Sequence, residues 1–292
     1  MKGKTSKDRL QVAKTYKLYL GGAFPRTESG RTIKVLDTKG NLLANSCRAS
    51  RKDCREAVVA ARGAAEGWAS RSGYNRGQIL YRSAEMLEGR SEQFIEELRS
   101  SGSTAAKARQ EVAASVDRLV HYAGWTDKYH QVFGTVNPVA SSHFNFSLPE
   151  ATGVAVIIAP NENPLLGLVS MIAPAIAGGN TAVCIASEAF PLSAITFGEV
   201  LNASDLPGGV VNLLTGQREE LIPPLSGHMD VNALVYADLD DKERKSVEED
   251  AARNLKRIIR INSANWFSDE VEGPYPILDL QEIKTTWHPI GQ

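Results

Sequence analysis

Three classes of side chain in this sequence have the reactivity to carry chemistry. They are the thiols of Cys47, Cys54 and Cys184, the imidazoles of His121, His130, His143, His228 and His288, and the carboxylates clustered at Asp238, Asp240 and Asp241. A nucleophilic thiolate needs an exposed, electropositive or base-assisted setting. Cys184 lies in a run with a buried-strand pattern, Cys54 falls on the apolar stripe of a helix, and Cys47 sits in an early strand or loop, so each is assigned a structural role. Three cysteines so scattered make neither a disulfide framework nor a zinc knuckle, and the histidines lack metal-ligand spacing. The three carboxylates stand at a helix start, where they suit the positive end of the dipole and repel an anion. Gly178-Gly179 and Gly208-Gly209 fit neither the dinucleotide fingerprint nor the P-loop, and are assigned to turns and helix ends.

Two kinds of element position these residues. From Ser50 to Lys128 the apolar residues recur with a helical period. Ser50 stands three residues before Asp53, a capping-box spacing, and Cys54, Ala57, Val58, Ala61, Ala64, Ala65 and Trp68 line one face. Stripes at Ile79, Leu80, Ser83, Met86 and Leu87, at Phe94, Ile95 and Leu98, and at Ala108, Val112, Val116, Leu119 and Ala123 predict three more helices. After Gly134 the period becomes two. His143 to Leu148 alternate polar and apolar, which predicts a strand with one wet face, the second arm of a hairpin that begins near Thr135.

Short apolar runs then alternate with helix-length segments. The runs are Val154 to Ala159, Thr181 to Ala186, Val210 to Leu214, Asn232 to Tyr236 and Ile258 to Asn262; the separators are Pro164 to Gly178, Pro191 to Ala203, Gln217 to Leu225 and Lys242 to Lys256. This pattern predicts an α/β fold with a doubly wound parallel sheet of five strands. Past Asn262 the regularity stops: Asn262 to Pro276 reads as irregular and Ile277 to Trp287 as extended, with too little chain after Arg260 for a second α/β domain.

Composition excludes several classes of function. With 292 residues, 42% hydrophobic and 23% charged, the chain is an ordinary globular one, and a net charge of -1 provides no basic field for nucleic acid or anionic lipid. No apolar run approaches the roughly 20 residues needed to span a bilayer, and no signal-peptide core opens the chain, so a reducing cytoplasm is the expected compartment. The basic residues 1–16 read as a disordered tail.

At Tyr19 to Gly30 (YLGGAFPRTESG) and at Gly153 to Glu188 (GVAVIIAPNENPLLGLVSMIAPAIAGGNTAVCIASE) the sequence resembles the aldehyde dehydrogenase superfamily. The resemblance extends through Tyr122 to Trp125, Gly208 to Gly216 and Asp230 to Tyr236, and Leu278 to His288 is similar to the family's C-terminal strand. It implies a Rossmann-like NAD(P)-binding domain over residues 17–133 and 149–262, and an oligomerisation hairpin and strand at 134–148 and 277–288. The irregular segment 263–276 would replace the domain that carries the catalytic cysteine. By the same resemblance Pro160 begins the loop beside the reaction centre, and Ser187 and Glu188 stand at the ribose-binding motif, making these three the candidate cofactor contacts.

The functional positions of the family are altered here. Glu162 replaces the Asn whose amide holds the oxyanion, and an ionised carboxylate cannot donate; Asn163 would serve only if the loop shifted by one residue. Ile185 replaces the Lys that shares the ribose with Glu188. Tyr236-Ala237-Asp238-Leu239 replaces the turn that receives the pyrophosphate, and Arg260 aligns with the general base, a role closed to a guanidinium near neutral pH. The expectation is a pseudoenzyme with no catalytic residue, no metal and no or weak NAD(P) binding. It would act as a structural or regulatory subunit in a homo-oligomer, or in a hetero-oligomer with a full-length aldehyde dehydrogenase. The alternative is an NAD(P)-binding subunit of an active oxidoreductase complex.

Overall fold

A computed structural model describes residues 14–262 and 265–291. The chain begins with a small sheet of β1 (Thr15–Tyr16), β2 (Thr32–Leu36) and β3 (Leu42–Cys47), in the order β1-β3-β2. Thr15 and Tyr16, which the sequence assigns to a disordered tail, instead pair in parallel with Asn45 and Ser46; residues 1–13 lie outside the described residues.

Helices α1 (Arg51–Ala69), α2 (Gly73–Glu88), α3 (Ser91–Ser100) and α4 (Ala105–Trp125) follow, then the single turn α5 (Tyr129–Phe133). The capping box of α1 forms as the Ser50/Asp53 spacing predicts. Asp53 is buried, and it also accepts from the Thr27 hydroxyl at 2.7 Å and the Glu28 amide at 3.2 Å, so the cap ties the entry loop to the helix.

Five parallel strands form the central sheet: β6 (Val154–Ile158), β7 (Thr181–Ile185), β8 (Val211–Leu214), β9 (Ala233–Tyr236) and β10 (Arg257–Arg260). They run in the order β10-β9-β6-β7-β8 and are joined by α6 (Pro164–Ala177), α7 (Leu192–Asn202), α8 (Arg218–Ser226) and α9 (Asp241–Ala252). Every residue of β6 to β9 is buried, because helices cover both faces; hence apolar runs rather than alternation. Successive residues feed opposite layers: Ala155 and Ile157 join the core under α6 and α7, while Val154, Val156 and Ile158 join the core under α1 and α8. Among the described residues no helix is long and apolar enough to cross a membrane.

A third sheet stands apart, in the order β11-β5-β4, built from β4 (Thr135–Asn137), β5 (His143–Ala151) and β11 (Gln281–Pro289). Strand β5 runs past Leu148 to Ala151, and it pairs with β11 along nine residues, from Gln281 opposite Ala151 to Pro289 opposite His143. The alternation read in the sequence is present, but the wet face is the apolar one. Asn145 and Ser147 are buried, whereas Phe144 (45% exposed) and Leu148 (41%) face solvent. The polar row is linked by hydrogen bonds, with Asn145 Nδ2 left unpartnered: the Asn137 amide donates to Asn145 at 2.6 Å and to Ser147 at 2.9 Å, and Ser147 meets the Thr285 hydroxyl at 2.8 Å.

The connection from β10 to β11 is shorter on strand and richer in turns than the sequence suggests. Asp269–Val271 forms a 3-10 turn and α10 (Tyr275–Leu278) a short helix, so the extended segment starts at Gln281 rather than Ile277. Pro274 and Pro276 favour the turn, and it lets Ile277 and Leu280 enter the core.

Candidate functional site

In an open parallel sheet, ligands bind at the carboxyl ends of the strands where the strand order reverses. Here that point lies between β6 and β9, since β7 and β8 extend the sheet on one side of β6 and β9 and β10 on the other. The loop after β6 contributes Ala159, Pro160 and Asn161; the turn after β9 contributes Ala237 and Asp238; the end of β7 contributes Ser187 and Glu188.

Arg218 holds these pieces together. It is the first residue of α8, its side chain is 7% exposed, and its Nη2 donates to Asp238 Oδ1 at 2.9 Å and to the carbonyl of Ala159. One guanidinium thus spans the point where the strand order reverses. The second carboxylate oxygen of Asp238 accepts the amide N–H of Asn161 at 2.9 Å. Nε of Arg218 is buried and has no partner.

The candidate cofactor contacts have local duties. Glu188 accepts the amide N–H of Arg218 at 2.8 Å and so caps the start of α8. Ser187 is buried; its hydroxyl donates to the Asn161 side-chain oxygen at 2.9 Å and accepts the Phe190 amide at 3.1 Å. Pro160 lies against Gly167, where a Cβ would come within 2.3 Å of the proline ring. Three sequence-named residues therefore gather at one crevice, each with an intramolecular neighbour.

Of the three clustered carboxylates, only Asp238 faces the crevice. Asp240 is the N-cap of α9 and forms a capping box with Glu243, and Asp241 pairs with Arg244 at 2.9 Å in the first turn. The expected repulsion of an anion by all three thus reduces to one. Glu162 is exposed, and Asn163 has a left-handed backbone (φ +49°) immediately before α6, where its carbonyl accepts from Gly167. Arg260 is exposed at the end of β10; of its sequence neighbours, Ser263 and Ala264 lie outside the described residues.

All three thiols are buried. Burial pushes the Cys54 thiol up to about 12 and raises that of Cys184 as well, so neither forms a thiolate near neutral pH. Among the described residues no group of histidines, cysteines and carboxylates can hold a metal ion.

Arg118 and Glu111, on α4, have roles that sequence reading missed. Arg118 is buried; its Nε donates to Glu272 at 2.8 Å, its Nη1 to the Ser170 hydroxyl at 2.7 Å and the Val271 carbonyl at 3.2 Å, and its Nη2 to the Trp266 carbonyl at 3.1 Å. The segment after β10 is thereby anchored to α4, with Trp266 buried over Gly167 of α6. Glu111 accepts the first free amides of α6, from Leu165 at 2.9 Å and Leu166 at 3.3 Å, and burial raises its pKa. A basic residue at a helix start opposes the dipole, which was the available signal for Arg218; a charged residue on an otherwise apolar helical face was the signal for Arg118 and Glu111.

The glycine pairs serve close packing and helix ends. Gly208 crosses the Gly21-Gly22 backbone so tightly that a Cβ would lie 2.4 Å from the Gly21 carbonyl, and Gly178 caps α6.

Comparison with known proteins agrees with this architecture. The cytosolic 10-formyltetrahydrofolate dehydrogenase of Mus musculus is 29% identical over 259 residues, which cover 86% of this chain and 28% of that protein. Aldehyde dehydrogenase family 2 member B4, mitochondrial, of Arabidopsis thaliana is 33% identical over 254 residues, covering 85% and 46%. The solved NAD+ complex of an aldehyde dehydrogenase from Bacillus cereus superimposes with a TM-score of 0.80 at 26% identity, covering 85% of this chain and 50% of that one. The chain therefore spans about half or less of the length of these relatives. The aldehyde dehydrogenase family model matches residues 25–260, a span that holds the whole five-stranded sheet and its crevice. On that match the chain belongs to the aldehyde dehydrogenase family and is homologous to the NAD-binding part of its enzymes.

Proposed function

We propose that this chain is a catalytically silent member of its family that works as a structural or regulatory subunit, docking through the β11-β5-β4 sheet onto another chain with the same sheet. The observation that carries this reading is the surface of that sheet. Strand β11 is a nine-residue edge strand, exposed at every position but Gln281, and its outer row of backbone donors and acceptors is open to strand addition. Val136, Phe144 and Leu148 on one face and Ile283 and Trp287 on the other are also exposed. By contrast α9 buries only Val247 and Ala251 and, apart from Ala252, is otherwise charged or polar, a solvated surface. A second copy of this chain and a full-length aldehyde dehydrogenase both carry a sheet of this kind by family resemblance.

Catalytic silence is supported by the absence of a usable nucleophile among the described residues, where each thiol is buried, and by Glu162 and Arg260 at positions that call for a donor and a base. The crevice carboxylates Asp238 and Glu188 and the amides they accept have partners within the chain, which supports weak or no NAD(P) uptake. Three buried free thiols suit a reducing compartment, and we assign the chain to the cytoplasm.

The test is light scattering on the purified chain, alone and mixed with a full-length relative from its own cell, alongside assays with NAD or NADP and a panel of aldehydes. The expected result is an assembly that Phe144→Glu with Leu148→Glu dissociates, and no turnover. A monodisperse monomer that ignores the relative would overturn the assembly reading, and turnover by the chain alone would overturn silence.

A further inference from the structure

We propose that the hollow between α6 and the segment after β10 is a binding site for a small apolar amine, whose ammonium is met by Glu270 and Asp279. This goes beyond the proposed function and depends neither on assembly through the β11 sheet nor on cofactor uptake.

A cavity of about 260 Å³ lies between α6, the ends of β9 and β10, and residues 266–280. Met171, Val235, Ile259, Trp266 and Leu280 give it apolar walls. Val235 and Ile259 belong to the core under α6 and α7, so the cavity is on the face of the sheet away from α8 and α9 and is separate from the crevice of Ser187, Glu188 and Asp238. Such walls favour an apolar body, because transfer out of water gains in proportion to the area covered. The volume is about that of eight or nine waters in the liquid, which admits a ligand of roughly ten non-hydrogen atoms and excludes a nucleotide.

Charge decides the class of ligand. Glu270 and Asp279 both line the cavity, and among the described residues neither carboxylate has a hydrogen bond or a salt bridge. Burial raises the Asp279 carboxyl, with Arg257 opposing, as for a carboxylate short of a close counter-ion. The nearby cations are engaged elsewhere. Arg257 donates to the Asp279 carbonyl at 3.2 Å and to Glu282 at 3.0 Å, and Arg118, behind Ser170, is paired with Glu272 at 2.8 Å. Arg260 borders the cavity, but it stands opposite Tyr236 in register, on the row that faces the α8 and α9 layer, and its charge acts on Tyr236. The side chains turned to the cavity therefore offer two negative charges beside an apolar wall. An ammonium gains charge-assisted hydrogen bonds there, an anion is repelled, and a neutral molecule gains only the apolar contact.

Calorimetric titration of the full chain at near-physiological salt tests this with phenethylamine, with 2-phenylethanol and 3-phenylpropanoate as a neutral and an anionic counterpart of similar shape, and with ethylamine as the charge without the apolar body. Phenethylamine is expected to bind saturably, at least about tenfold tighter than the alcohol or ethylamine, and the carboxylate is expected to give no saturable heat up to about 5 mM. Glu270→Gln with Asp279→Asn is expected to bring the amine down to the affinity of the alcohol and to leave the alcohol unchanged.

Thermal melting establishes that the variant is folded. Should the two substitutions together prevent folding, Glu270→Gln and Asp279→Asn singly are each expected to weaken phenethylamine binding at least about threefold. No saturable binding of phenethylamine, equal affinity for the amine and the alcohol, equal affinity for phenethylamine and ethylamine, or an affinity that survives loss of the carboxylates would overturn the site. Light scattering and titration with NAD read the proposed function separately, so the failure of one reading is distinct from the failure of the other.

Discussion

Glu111 shows how a charge survives in this core: its carboxylate replaces the missing hydrogen-bond partners at the start of α6. Burial is the dominant influence on it and raises its pKa, the two amide bonds opposing. A carboxyl raised in the folded state contributes stability that is complete below its unfolded value of about 4.3 and is lost as pH rises through the folded value. Glu111→Gln keeps an acceptor for the amides without the charge. Its stability relative to wild type should therefore rise between about pH 4 and pH 7, by on the order of 1 kcal/mol. Urea denaturation at the two pH values checks this; a difference independent of pH would show that folding leaves the Glu111 pKa unshifted.

The segment from Trp266 to Leu280 determines how the open end of the sheet is finished. Trp266 is buried, Phe267 packs beside the core, and His121 accepts the amide of Gly273 through Nε2 at 3.1 Å, while Tyr275 remains exposed against the Phe133 ring. Trp266 thus covers apolar surface, and Tyr275 does so only in part. Trp266→Ala is expected to destabilise the chain by about 3–5 kcal/mol, because it leaves a cavity against Gly167 and loosens the loop that Arg118 holds. Chemical denaturation measures the loss, and a cost below about 1 kcal/mol would mean that the segment lies on the core without supporting it.

For the molecule as a whole, exposed apolar side chains on both faces of one small sheet are a surface that association would cover. Folding linked to assembly makes the melting temperature depend on concentration, since mass action favours the associated folded state. The melting temperature is expected to rise across a hundredfold dilution series toward higher protein, and Phe144→Glu with Leu148→Glu should flatten the dependence. A wild-type melting temperature independent of concentration would count against linkage between the sheet and stability.

The sequence by itself determined the elements whose patterning is local. The strands at Val154, Thr181, Val211 and Ala233 were legible because burial on both faces demands continuous apolar runs, the half-buried edge strand at Arg257 through Ile258 and Ile259, and α1 because a cap and a helical stripe lie within twenty residues of each other. The chemistry closed to Glu162, Ile185 and Arg260 was legible as well, since residue type alone limits what they can donate or accept. Tertiary structure decided the rest. Which face of β5 is wet depends on Asn137 and Thr285 across the sheet, and the duty of Arg218 depends on Ala159 and Asp238, far from it in sequence. Periodicity reports that a face exists, but only packing assigns its neighbour. Hydrogen bonds between distant residues leave no period in the chain.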